Sequence, residues 1–159
     1  MKTTFLKDNY DGNLEEIGIE SLKIEADVFR GYMEYGTERD EDEDEDEDDG
    51  KKDFFDSNCP FNEYGLCFGW VDGEGETQGF FRYQLSYGGP SDEIRFYGDM
   101  SGRVYKIEYV YMDWFCGVGF DITKEDWAIW LKDYFDDVGV LVYEPDEEDN
   151  LPIGHISNG

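Results

Sequence analysis

The chain has 159 residues, enough for one domain, and a domain of that size buries roughly 70% of the surface that its unfolded form exposes. Its 41 acids and 13 bases give a formal net charge of −28, which excludes a protein that grips nucleic acid through a basic surface of its own. The sequence has no apolar run long enough to span a membrane, and its first residues lack the apolar core of a signal peptide, so we expect a cytoplasmic protein.

Aromatic residues account for 18% of the sequence, whereas acidic chains that stay unfolded are poor in them. We therefore expect residues 1–159 to form a single acidic domain. Within it, the composition predicts an exposed acidic loop at residues 38–50 and a flexible tail at residues 145–159.

The first apolar segment, residues 14–35, fits two kinds of secondary structure. Leu22 and Phe29 would share one face of a helix, while Ile17 and Ile19 alternate as they would in a strand. An N-terminal helix and an N-terminal strand therefore both remain open.

An acidic run follows at residues 38–49, with 11 acids, one arginine and no apolar side chain. Such a segment cannot contribute to a core, so it predicts an exposed insertion that interrupts the fold. Without the run, 30 acids and 12 bases remain, a formal net charge of −18 over 147 residues. The folded body is therefore strongly acidic in its own right, at a cost in self-repulsion that solubility does not require.

Next come segments rich in aromatic and β-branched residues, separated by short glycine-containing turns. The predicted strands are residues 66–71, 79–87, 93–97 and 103–114. The turns at residues 72–75, 88–92 and 98–102 are short enough for antiparallel hairpins. With an edge strand predicted at residues 140–143, this pattern indicates an antiparallel sheet of about four or five strands.

The clearest helix follows the predicted sheet. Thr123 is expected as its N-cap and Gly139 as the glycine after its end. Its apolar stripe has the spacing of one helical face and consists of Trp127, Trp130, Leu131, Tyr134 and Phe135. An α+β fold is predicted, in which this amphipathic helix covers one face of the sheet.

The sequence offers little material for catalysis. Its single histidine, His155, lies in the predicted tail, and no phosphate-binding loop, nucleophile elbow or zinc motif is present. Cys59, Cys67 and Cys116 lack the spacing of a zinc site and are expected to be reduced, partly buried thiols. We expect a protein that is not an enzyme and has neither a cofactor nor a metal site.

The acidity itself predicts a positively charged partner. Carboxylates held on a folded surface can occupy the basic groove of a nucleic-acid-binding protein without the entropic cost of ordering a flexible tail. The candidate partner-binding residues on the predicted helix are Asp126, Asp133, Asp136 and Asp137. Those in the acidic run, a flexible electrostatic lure, are Asp40, Asp42, Asp44, Asp46 and Asp48.

In its size, its charge and its aromatic-rich folded body, the chain resembles the DNA-mimic inhibitors with which phages and plasmids block restriction or CRISPR nucleases. The resemblance implies binding, as a monomer or a homodimer, to the nucleic-acid-binding surface of such a host-defence complex, with no direct contact to nucleic acid. Two alternatives stay open: an immunity protein or antitoxin that neutralises one basic nuclease toxin, and an acidic chaperone that binds through residues 38–49.

Overall fold

The computed structural model describes residues 2–5, 12–40, 50–74, 77–99, 101–113, 116–145 and 152–154. Its helices are α1 (Gly12–Tyr35), α2 (Lys51–Ser57), α3 (Phe61–Tyr64) and α4 (Asp126–Asp137). Its strands are β1 (Thr3–Phe5), β2 (Cys67–Val71), β3 (Phe80–Gln84), β4 (Ser91–Gly98), β5 (Val104–Asp113), β6 (Cys116–Asp121), β7 (Tyr143–Pro145) and β8 (Pro152–Gly154).

The main sheet is antiparallel throughout and has the strand order β1-β6-β5-β4-β3-β2. Strands β2 to β6 follow one another as a meander, and the three predicted hairpins lie where the turn residues place them. The α+β class is confirmed, but the main sheet has six strands instead of the predicted four or five. The sequence pattern missed β1, which has only three residues, and β6, in which Gly117 and Gly119 interrupt the strand pattern.

Residues 14–35, which fit a helix or a strand by sequence, lie in α1. This helix packs on the sheet where Gly18 lets its backbone approach Val118 and Phe120 of β6. Further along, the Phe29 ring stacks on the Trp127 ring of α4 with centroids 5.5 Å apart, so the two long helices support each other on one face of the sheet.

Helix α4 carries the predicted aromatic stripe. Trp127, Leu131 and Phe135 are buried, and the Phe135 ring lies 5.0 Å from that of Tyr83 and 5.8 Å from that of Phe96. Side chains of this size each contribute several kcal/mol when fully buried, on the order of 3. The stripe therefore holds α4 against the centre of the sheet.

The ends of α4 agree only in part with the sequence. Gly139 directly follows the C-cap residue of α4 and has a φ of 78°, as predicted. Thr123 is not the N-cap, because that position belongs to Glu125. The Thr123 hydroxyl instead accepts the Ile107 backbone N–H at 3.0 Å and donates to Asp121 at 2.5 Å, which ties the β6–α4 connection to β5.

The chain after α4 differs from the predicted edge strand. Residues 140–143 do not extend the main sheet, and β7 pairs with β8 in a separate two-stranded sheet. The Tyr143 hydroxyl donates a 2.6 Å hydrogen bond to the Phe96 carbonyl, which anchors β7 to β4. Strand β8 lies within the segment that the sequence predicts as a flexible tail.

Candidate interaction surface

The four described helices lie on one face of the main sheet, and we call their solvent-facing surface the helix layer. It is strongly acidic, with eleven exposed carboxylates and three exposed cations. The carboxylates belong to Glu16, Glu20, Asp27, Glu34, Asp53, Asp56, Glu63, Asp126, Asp133, Asp136 and Asp137. The cations belong to Lys23, Arg30 and Lys52.

On α1, the spacing of the acids places them in one stripe. Glu16, Glu20, Asp27 and Glu34 fall within an arc of about 40° around the helix axis, and the first and last are about 27 Å apart. Lys23 lies about 20° outside this arc and pairs with Glu20 at 3.3 Å. One strand of DNA carries about eight phosphates over that length. The exposed groups of the helix layer have a net of eight negative charges, the same number as these phosphates. They are spread over four helices and do not form one line.

Several of these acids occupy the helix ends where a negative charge is least stable. The C-terminal end of a helix has a partial negative charge and favours cations. None of α1, α2 and α4 has a basic residue in its last turn, whereas Glu34, Asp56, Asp136 and Asp137 are all in or next to a last turn. Asp56 accepts a 2.7 Å hydrogen bond from Arg39, which offsets this cost, so helix stability leaves Glu34, Asp136 and Asp137 unexplained.

The predicted acids of α4 differ in how far local cations neutralise them. Asp126 lies 3.5 Å from Arg30, and Asp133 lies 3.0 Å from Lys132. Within the described part of the chain, Asp136 and Asp137 form no salt bridge, and both are exposed. Of the four predicted positions, these last two present unshared negative charge.

Of the acids predicted in the acidic run, only Asp40 is described. It is exposed and accepts a 2.9 Å hydrogen bond from Lys51 at the start of α2. Asp42, Asp44, Asp46 and Asp48 lie outside the described residues.

The opposite face of the sheet, which we call the sheet face, has a balanced charge. The register of β3, β4, β5 and β6 aligns Arg82, Arg95, Glu108 and Asp121 in one row across the strands. With Glu93 and Lys106 beside the row, the described strands place three cations and three carboxylates on this face.

The ion pairs of the sheet face are buried. Glu93 accepts a 2.8 Å hydrogen bond from Arg95, and Lys106 lies 3.5 Å from Glu108. Both carboxylate side chains are less than 5% exposed. Burial lowers the pKa of Arg95, but the neighbouring Glu93 outweighs this effect, so that the pKa is raised overall and the guanidinium stays charged.

A third set of polar residues lies between α1 and the sheet and has no counterpart in the sequence predictions. Asp92 of β4 is 3% exposed and accepts hydrogen bonds from Ser86 at 2.5 Å and from Tyr109 at 2.8 Å. The Tyr109 hydroxyl also bonds to Ser21 of α1 at 2.7 Å, and Asp92 shares a side-chain hydrogen bond with Glu25 of α1.

This buried network requires a proton on its carboxyl pair. Two carboxylates cannot hydrogen-bond to each other unless one of them is protonated, and no lysine or arginine among the described residues pairs with either. Burial and the neighbouring Asp92 raise the pKa of Glu25 to about 8, even though a hydrogen bond from Tyr64 acts in the opposite direction. Burial together with Asp92 also raises the pKa of Tyr109, which keeps that hydroxyl a donor.

The remaining chemically reactive groups are the cysteines and the side chains that could bind a metal ion. None of the three cysteines forms a disulfide bond, and because Cys59 and Cys67 are exposed, the prediction of partly buried thiols fits only Cys116. The described residues contain no group of three His, Cys, Asp or Glu side chains arranged to hold a metal ion. None of the described helices is both long and apolar enough to cross a membrane.

Comparison with known proteins adds no relative. No protein-family model, no curated protein and no solved structure matches the chain.

Proposed function

We propose that this protein is an acidic inhibitor that binds the positively charged nucleic-acid-binding surface of a nuclease or host-defence complex. In this proposal the helix layer supplies the contact surface and imitates the charge of DNA, as in anti-CRISPR and antirestriction DNA mimics. The protein acts by occupying its partner and catalyses no reaction.

The observation that carries the proposal is the position of the acids at the helix ends. Glu34, Asp136 and Asp137 lie where the helix dipole disfavours them, and none of the four described helices has a basic residue in its last turn. On the sheet face of the same molecule, Glu93 and Glu108 are buried beside cations, although the Arg82 Nε is buried without a hydrogen-bond partner. Exposed negative charge without a local cation, kept at helix ends that disfavour it, is typical of a surface selected for binding.

The acidic run at residues 38–49 has a secondary role in this proposal. Its 11 carboxylates raise the rate of encounter with a cationic partner by long-range attraction. The helix layer then provides the fixed contacts, because its acids are mounted on packed helices and need little ordering on binding.

A pull-down from a bacterial lysate tests the proposal. Immobilised protein should retain a DNA-binding protein at low salt, release it as salt is raised, and release it also when duplex DNA is added. Captured proteins without affinity for DNA, or a DNA-binding protein that duplex DNA does not displace, would contradict DNA mimicry.

One observation favours the alternative of an immunity protein or antitoxin. Ile17 and Ile24 are 49% and 64% exposed on α1, beside the acidic stripe. Aliphatic side chains have no equivalent on the phosphate backbone, and they suit a shape-specific contact with one cognate nuclease toxin. In that case the complex should survive high salt and should be weakened by Ile24→Ser more than by Glu20→Gln.

A further inference from the structure

The hairpin between β3 and β4 carries the most exposed large hydrophobic side chain among the described residues. Tyr87 is 83% exposed, whereas the other exposed tyrosine of the described chain, Tyr105, is 50% exposed and donates a hydrogen bond to Gln78. Gly88 next to it has a φ of 115° and open space around it, so the tip turns sharply directly after the aromatic ring.

The base of this hairpin is held by a closed set of hydrogen bonds. The backbone N–H groups of Leu85 and Ser86 donate to the Asp92 carbonyl, and the Asp92 N–H donates to the Ser86 hydroxyl at 2.9 Å. The Ser86 hydroxyl in turn donates to the Asp92 carboxylate at 2.5 Å. Each strand is thus fixed to the other immediately before the tip at residues 87–90.

The polar network between α1 and the sheet supports this hairpin base. Asp92 is the residue that joins the hairpin to Tyr109 of β5 and to Glu25 of α1. Tyr64 of α3 donates to Glu25, so the hairpin, β5, α1 and α3 meet at the carboxyl pair of Asp92 and Glu25. A network of buried polar groups is costly unless it is fully satisfied, and one that is satisfied fixes geometry.

The hairpin also emerges beside the acidic surface. Ser21 and Glu25 of α1 contact the network at the hairpin base, and Ile24 is exposed on the same side of α1. The acidic stripe of α1 lies next to this side of the helix. A cationic segment that crosses both the acidic stripe and Ile24 would therefore reach the side of α1 on which the hairpin emerges.

We propose that Tyr87 is an aromatic anchor that stacks on an arginine guanidinium of the basic partner, and that Ser86 and Asp92 are positioning residues for it. The proposal rests on the proposed function and adds the side-chain chemistry that the partner must offer. Exposed tyrosine rings attract planar guanidinium groups through both stacking and the cation–π interaction, and lysine cannot stack in this way. Tyrosine held on a rigid tip is also a common hot-spot residue at protein interfaces.

Two fluorescent peptides of equal charge, nona-arginine and nona-lysine, test the proposal by fluorescence anisotropy at low salt. The unchanged protein should bind both and should prefer the arginine peptide by about two- to fivefold. Tyr87→Ala should reduce this preference, because the carboxylates keep their own preference for arginine, and it should weaken the binding of nona-arginine more than that of nona-lysine. Tyr105→Ala, a matched loss of an exposed tyrosine, should keep the preference.

Ser86→Ala tests the positioning role separately, since it removes the hydroxyl from the hairpin base without touching the ring. We expect part of the arginine preference to be lost, with unchanged affinity for nona-lysine. A preference that Tyr87→Ala leaves at the wild-type level overturns the anchor, and one that is unaffected by Ser86→Ala overturns the positioning role. If the unchanged protein binds neither peptide, the proposed function fails first and the anchor fails with it.

Discussion

The helix layer and the sheet face treat charge in opposite ways. On the sheet face, Glu93 and Glu108 are buried and each lies beside a cation. On the helix layer, eleven carboxylates are exposed against three cations, and Asp136 and Asp137 lie at a helix end that disfavours them. The net charge of −28 is therefore not spread evenly. The sheet face holds its charges in structural contacts, and the helix layer exposes them to solvent.

The largest change in the free energy of unfolding should come from weakening the packing between the helix layer and the sheet. Trp127→Ala removes a ring that is 1% exposed and stacks on Phe29, so unfolding should become about 3–5 kcal/mol easier. Urea denaturation measures the change. Ile129→Ala, on the exposed side of the same helix, should cost less than about 1 kcal/mol, and equal losses in both variants would contradict the packing of α4 described here.

Breaking an ion pair should cost more stability on the sheet face than on the helix layer, and both losses should be smaller than that of Trp127→Ala. Glu93→Gln leaves Arg95 buried beside a neutral group and should cost about 1–3 kcal/mol. Glu20→Gln breaks the pair with Lys23, whose side chains are 72% and 66% exposed, and should cost at most about 0.5 kcal/mol. Thermal unfolding of both variants in one buffer gives the comparison, and a larger loss for Glu20→Gln would refute it.

The carboxyl pair between the faces should make stability depend on pH. The pKa of Glu25 is raised to about 8, so the folded protein keeps a proton that the unfolded chain loses at the ordinary pKa near 4.5. The contribution of this proton to stability is therefore complete below pH 4.5 and is lost as pH rises towards 8.

Glu25→Gln imitates the protonated carboxyl and should reduce the loss of stability between pH 5 and pH 8, as measured by urea denaturation across that range. Glu16→Gln, an exposed substitution on the same helix, should leave the loss unchanged. Parallel pH profiles for the wild type and Glu25→Gln would show that the pair does not hold a proton.

The smallest expected effect concerns the acids at the end of α4. Asp136→Asn together with Asp137→Asn should stabilise the protein by about 0.3–1 kcal/mol for each residue at low salt, and salt should remove the gain. The control pair, Asp72→Asn with Glu74→Gln, lies in the β2–β3 turn and should change little. A loss of stability in the α4 variant would mean that these acids serve the fold.

The α+β class, the meander and the aromatic stripe of α4 could be predicted because each rests on local periodicity and turn residues. The type of α1 could not, since Ile17 and Ile24 are exposed and blur the helical pattern of the buried Leu22 and Phe29. The edge of the sheet beyond β5 was also missed, because Gly119 of β6, which leaves room for the Glu108 side chain, looks like a loop residue in a sequence.

The candidate site was predictable to a similar degree. Exposed acids of α4 follow from helical spacing, but the pairing of Asp126 with Arg30 joins two helices that are distant in the sequence. The network of Glu25, Asp92 and Tyr109 depends on contacts among α1, β4 and β5, and no single stretch of sequence signals it. Composition alone does not show that, among 41 acids, Glu25 and Asp92 lie together between α1 and the sheet.

The central claim is that the helix layer, and not the acidic run, makes the fixed contacts with a basic partner. The measurement is the affinity of the captured DNA-binding protein for two variants. One carries Asp27→Asn, Glu34→Gln, Asp136→Asn and Asp137→Asn, and the other has residues 38–49 replaced by glycine and serine. We predict a loss of about tenfold or more for the first variant, and for the second a slower association that leaves most of the affinity intact. Binding that disappears with the acidic run and survives the four helix substitutions would contradict the account and favour an acidic chaperone.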